Sequence, residues 1–132
     1  MALAVQVARR FAAAWKPMDA DARGLSRERL RRVLDRIEAR LGEEMTLAEL
    51  AGVACLSPYQ FSRRFKRIVG VGPQRYAVGR RVERAREMVR RTDEPLAAIA
   101  QALGFADQSH FTNVFRRETG ATPARFRAAA TA

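Results

Sequence analysis

Covalent and metal chemistry have little to draw on in this sequence. Its 132 residues include one cysteine, Cys55, and one histidine, His110. A single cysteine excludes an intrachain disulfide framework and any cysteine-based zinc cluster, and it fits a reducing compartment. A Ser/His/Asp or Cys/His catalytic group would have to be built on His110 alone, and no constellation supports one. The chain is therefore read as a non-enzyme with no cofactor and no metal. Acid is scarce as well: 14 Asp and Glu face 25 Lys and Arg, for a formal net charge of +11. Long apolar runs are missing, since no stretch approaches the roughly 20 residues needed to span a bilayer. Arg9-Arg10 ahead of Phe11 imitates a twin-arginine signal, but the apolar run that follows ends at Trp15, before Lys16-Pro17. Residues 1–15 lack acid and carry arginine as a transit peptide does, yet contain no serine, so neither targeting role is assigned.

What is present narrows the field. A hydrophobic fraction of 48% is enough to build a core, which rules out a wholly disordered basic tail. The excess charge points to a polyanion: DNA, RNA or an anionic membrane surface. Most of that charge is arginine, which makes bidentate contacts to phosphate and to guanine.

Apolar spacing and caps then give an all-helical reading. Leu3, Val7, Phe11 and Trp15 predict a short amphipathic helix over 2–15, with a polar linker over 18–24. Leu30, Val33, Leu34, Ile37 and Leu41 predict a helix over 26–41, with Ser26 as N-cap and Gly42 as C-cap. Thr46 to Glu49 is a capping box for a helix reaching about Ala54. Ser57-Pro58-Tyr59-Gln60 opens another, reaching about Val69. Pro73 starts a long helix to about Arg91, on Val78, Val82, Ala85 and Val89. Pro95 is expected at the first helical position of a helix ending near Leu103, Asp107 caps a helix over 108–119, and Thr122-Pro123 caps one last turn carrying Phe126. No period-2 strand pattern occurs.

A repeat organises these elements. Leu47 to Ala51, Phe61-Ser-Arg-Arg-Phe65 and Gly70-Val-Gly-Pro73 match Leu96 to Ala100, Phe111-Thr-Asn-Val-Phe115 and Gly120-Ala-Thr-Pro123. The early parts lie 49 residues apart and the later parts 50, so the second copy has one extra residue in its turn. Each copy is a short helix, a tight turn and a longer basic helix, a helix-turn-helix. At 100° per residue, Phe61, Phe65 and Ile68 lie opposite Tyr59, Ser62, Arg63 and Lys66. Phe111, Val114 and Phe115 lie opposite Ser109, Asn113, Arg116 and Arg117, with His110 beside them. The bland alternative is a helical bundle with solvated charged faces. The matched caps, Phe pairs and Gly-x-x-Pro exits weigh against it. The helix over 73–91, roughly 27 Å long, could set the two basic helices about one duplex turn, roughly 34 Å, apart.

These residues resemble the C-terminal DNA-binding domain of the AraC/XylS family of transcription regulators, over about residues 26–128. The resemblance is carried by the stretch from Ile99 to Pro123, by Ser57 to Lys66, and by Tyr76, Arg81 and Ala85 in the long helix. It implies a seven-helix, all-α module of two homeodomain-like, three-helical subdomains (25–72 and 93–128) on a linker helix (73–92), with residues 1–24 a remnant of an upstream sensor domain. It implies a bacterial cytoplasmic regulator at the nucleoid, in most cases an activator. Its partners would be double-stranded promoter DNA and RNA polymerase, and it would bind no membrane. Carried over by position, base reading falls on Tyr59, Ser62, Arg63, Gln108, Ser109, His110 and Asn113. Phosphate contact falls on Lys66, Arg67, Arg116 and Arg117. Arg63 is the best placed to read a guanine through O6 and N7. Cys55 departs from the family's usual turn glycine and is expected as a small, mostly buried thiol, strained if its φ is positive. Gly72 departs from the usual Ser or Thr cap. The chain would act as a monomer on DNA, with self-association through residues 1–24. Two alternatives stay open: a non-specific architectural nucleic-acid binder, and a truncated regulator working through protein contacts.

Overall fold

The computed structural model describes residues 24–131, and every described element is a helix. The expected helix over 2–15, and the linker up to residue 23, lie outside the described residues. In chain order the helices are α1 (Arg27–Ala39), α2 (Leu47–Val53), α3 (Pro58–Val69), α4 (Pro73–Arg91), α5 (Leu96–Ala102), α6 (Gln108–Thr119) and α7 (Pro123–Thr131).

Local chemistry sets most boundaries. The side chains of Ser26, Thr46, Ser57 and Asp107 accept from the backbone N–H of Arg29, Glu49, Gln60 and His110. Each satisfies a donor that the first helical turn leaves open. Both basic helices, α3 and α6, end on a left-handed glycine, Gly70 and Gly120, whose N–H returns to the carbonyl of Lys66 or Arg116. Three boundaries differ from expectation. Helix α1 stops at Ala39 with Arg40 as C-cap, and Gly42 lies beyond it in the loop. Pro95 is an N-cap, because its ψ of 142° is extended and the first helical residue is Leu96. Helix α7 runs nine residues, where a single turn was expected. Phe126 anchors it on Phe115, and Arg127 Nε donates to the Val89 carbonyl.

Two cores form, one for each repeat. Leu30, Val33, Ile37, Leu50, Phe61, Phe65 and Val69 fill the first, together with Tyr76 and Ala77 of α4. Val82, Ala85 and Val89 of the same α4 join Ile99, Leu103, Phe105, Phe111 and Phe115 in the second. Each fully buried large apolar side chain is worth about 1.5–3 kcal/mol. The long helix is therefore a wall of both cores as well as a connector.

The two turns match atom for atom where they align. Leu56 N–H donates to the Ala51 carbonyl, and Phe105 N–H to the Ala100 carbonyl, each at 3.0 Å. Gly104 occupies the left-handed position in the second turn with φ of 80°, and Cys55 occupies it in the first with φ of 58°. The expectation of strain at Cys55 is met, but that of burial is not: the thiol is exposed. A left-handed backbone at this corner aims the Cβ outward, into solvent. Gly72 starts α4 with no side-chain cap, as its lack of a hydroxyl requires.

Candidate nucleic-acid interface

Helix α3 separates cleanly into two faces. Phe61, Phe65 and Val69 are buried. The Phe61 and Phe65 rings lie 5.6 Å apart, and Tyr76 meets Phe65 edge-on at 5.7 Å. With its back fixed in this way, the helix presents Tyr59, Arg63, Lys66 and Arg67 to solvent, and Ser62 is half-buried among them. Tyr59 is the one large hydrophobic residue left exposed among the described residues, at 68%. Its hydroxyl accepts from Arg63 Nη1 at 3.1 Å, and the Arg63 guanidinium sits 5.5 Å from its ring centre. An aromatic ring and a guanidinium are thus held side by side on the outer face. They border an open recess of about 320 Å³, lined by Tyr59, Gln60, Arg63, Arg64 and Arg67. Gln60 and Arg64 were missed in the sequence reading, although each lies one helical turn from a residue that was named. The side chains of Arg64, Lys66 and Arg67 form no hydrogen bond or ion pair among the described residues.

Helix α6 is built the same way and dressed differently. Phe111, Val114 and Phe115 are buried. Gln108, Ser109, His110, Asn113, Arg116 and Arg117 are all exposed. Ala106, the extra residue of this turn, brings an extra backbone N–H, and His110 Nδ1 accepts it at 3.2 Å. Asp107 in turn accepts from the His110 backbone N–H at 2.7 Å. The ring also stands edge-on to Phe105, at 5.6 Å. His110 is therefore both a clamp on the turn and a member of the outer face, with its proton on Nε2. Arg116 Nη2 reaches Asn113 Oδ1 at 3.4 Å, and Arg117 Nε lies 3.7 Å from Glu118. Glu118 is only 4% exposed and holds Arg75 of α4 at 2.9 Å.

Elsewhere the acids are largely consumed by neighbours. Glu38 accepts both Nε and Nη2 of Arg80, at 3.0 and 3.1 Å, and also Arg84 at 3.1 Å. The Arg80 hydrogen bond holds the Glu38 carboxyl below its ordinary value, and the same bond raises Arg80. Arg81 donates to the carbonyls of Leu41 (2.7 Å) and Glu43 (3.1 Å) in the loop after α1. Burial pushes its guanidinium below the usual value. Glu28 pairs with Arg32, and Glu43 with Arg40. Among the described residues, the side chains of Arg64, Lys66 and Arg67 on α3 thus face no acidic partner, while Glu28, Glu38, Glu43 and Glu118 are engaged elsewhere. No helix among the described residues is long and apolar enough to cross a membrane.

Comparison with known proteins places this arrangement. A family model described as a helix-turn-helix domain matches residues 50–129. The transcriptional activator RhaS of Enterobacter sp. strain 638 is 36% identical over 99 residues, covering 75% of this chain and 36% of RhaS. The regulatory protein PocR of Salmonella typhimurium is 35% identical over 99 residues, covering 75% of this chain and 33% of PocR. The chain thus spans about a third of the length of these relatives. Among solved structures, an AraC-type regulator from Chromobacterium violaceum superposes with a TM-score of 0.73 at 28% identity, covering 78% of this chain and 92% of that one. The DNA-binding domain of AdpA, solved in complex with a target DNA, superposes with a TM-score of 0.72 at 30% identity, covering 76% and 90%.

Proposed function

The chain belongs to the AraC-type family of helix-turn-helix DNA-binding domains, and from that premise we propose that it reads double-stranded promoter DNA with α3 and α6 in successive major grooves and activates transcription there. The observation that carries this reading is the pair of matched helices with buried aromatic backs and exposed polar, cationic fronts. An α-helix fits the major groove, where base edges offer distinct donor and acceptor patterns. Arg63 suits guanine O6 and N7, while Asn113 and Gln108 suit adenine N6 and N7. Tyr59, Ser62, Ser109 and His110 complete the reading faces. Lys66, Arg67, Arg116 and Arg117 fix the register on phosphates, which carry little sequence information themselves. Arg64 joins them on α3.

Selection of bound sequences from a random duplex pool tests the proposal. Two boxes about one helical turn apart are expected. A single box would mean that one helix reads bases and the other anchors. No enriched sequence would leave the second reading, a non-specific binder, which the cations of α3 that lack an ion-pair partner among the described residues favour. Competition against bulk DNA at moderate salt separates the two readings, because a specific binder prefers its site by roughly 10³ or more. Transcription from a promoter bearing the selected boxes, with and without RNA polymerase contacts, tests the activator role.

A further inference from the structure

The two reading heads meet directly, away from the linker helix. Gly42, in the loop between α1 and α2, lies against the end of α5, where a Cβ at residue 42 would collide with the Ala102 carbonyl oxygen. From the other side, a Cβ on Gly104 would stand 2.8 Å from the Gly42 carbonyl oxygen and 3.1 Å from its carbon. Real Cβ atoms do not tolerate such distances, so the two backbones touch across the boundary between the units. Gly42 has no positive φ, so space alone, with no backbone constraint, demands glycine there. Arg81 secures the loop that carries it. From α4 it grips the carbonyls of Leu41 and Glu43, which flank Gly42 on either side. Loop, linker helix and second turn therefore form a closed triangle.

We infer that this brace of Gly42, Gly104 and Arg81 fixes the angle between the two units, and so makes Gly42 and Arg81 determinants of the spacing between the two DNA boxes. The inference rests on the two-groove reading proposed above. A single shared helix, even as a wall of both cores, is one line of contact about which the units can still rock. A second contact off the helix axis removes that freedom. With the angle fixed, moving one box by a base pair turns it by about a tenth of a turn away from its helix.

The test has one arm without DNA and one with it. Spin labels on Cys55 and on an Ala97→Cys variant report the distance between the units by pulsed electron resonance. The wild-type frame should give one narrow distribution. Gly42→Val, which wedges the contact, and Arg81→Gln, which releases the loop without crowding, should each shift or broaden it while helical content by circular dichroism holds. Unchanged distances in both variants would overturn the brace. On duplexes whose boxes are moved by one base pair, the wild type should lose about tenfold or more, comparable to a mismatched pair, and the variants less than about threefold. A wild type indifferent to spacing would overturn the two-groove reading, and the role in spacing with it, even where the distances move. Should Gly42→Val fail to fold, Arg81→Gln alone decides both arms.

Discussion

In the first unit the recognition helix carries Arg63, Arg64, Lys66 and Arg67 with no acid. In the second it carries Arg116 and Arg117 beside Glu118, whose largely covered side chain already holds Arg75. The backbones of the two units share the left-handed corner, the capped starts of the basic helices and their terminal glycines, the second turn being one residue longer, so most of the difference lies in the side chains laid on them. Helix α3 offers strong charge without an ion-pair partner among the described residues, and a stacked Tyr59–Arg63 pair. Helix α6 offers amides, a hydroxyl and an imidazole, of which His110 already accepts from its own turn and Asn113 from Arg116. One frame thus recurs with different side chains on it, and under the proposed reading α3 would contribute more of the attraction through charge and α6 more of the neutral hydrogen bonding, both reading bases.

The same contrast appears at the left-handed corner, and it gives the largest expected effect. Gly104→Cys would carry a side chain into the Gly42 backbone as well as an unfavourable φ, and should cost about 3 kcal/mol or more in a denaturant melt. A loss below about 1 kcal/mol would mean that the units can part at no expense. Next comes charge. Replacing Arg64, Lys66 and Arg67 together by Gln should flatten the slope of log affinity against log salt by up to about 2.7, at roughly 0.9 per phosphate contact. Replacing Arg116 and Arg117 should flatten it by less than about 1.8, because Arg117 is already engaged. Equal slopes would erase the division of labour. Arg63→Ala should weaken the cognate site by about 1–3 kcal/mol and relax selectivity at one position of one box. Asn113→Ala should act on the other box only, as read by quantitative footprinting.

Much of this was legible in sequence because it is local. Thr46 with Glu49, Ser57 with Gln60, and the Phe-x3-Phe pairs lie within one helical turn, and repetition doubled each signal. The faces of α3 and α6 followed from the helical period, so every exposed residue assigned to them is where the sequence put it, and only Ser62 is half-covered. The failures are long-range. Nothing near Gly42 reveals that Ala102 will press on it, so it was read as a helix stop. Glu118 looks solvated until Arg75, 43 residues away, closes over it. Cys55 was expected inside because cysteine usually is; the corner's handedness turned it out.

Two smaller effects sharpen the comparison further. Glu38 binds the first unit to the linker helix, and its depressed titration makes folding favourable above the ordinary glutamate range. That contribution should fade as pH falls through the folded-state value, and Glu38→Gln should remove the acid sensitivity of the melt in that window. Last, Cys55→Gly relieves the strained corner where no neighbour crowds it, for a gain of about 1 kcal/mol or less. A destabilisation would show that the thiol makes a contact worth keeping.

Because α4 lends Tyr76 and Ala77 to one interior and Val82, Ala85 and Val89 to the other, the molecule has no clean seam. A fragment ending before Pro73 would strip Phe65 of its lid, and one beginning after Arg91 would bare Phe111 and Phe115. Cut in two, the protein is short by one rod: each half needs its own stretch of that single helix to close, and a cut on either side of it leaves one half an open shell.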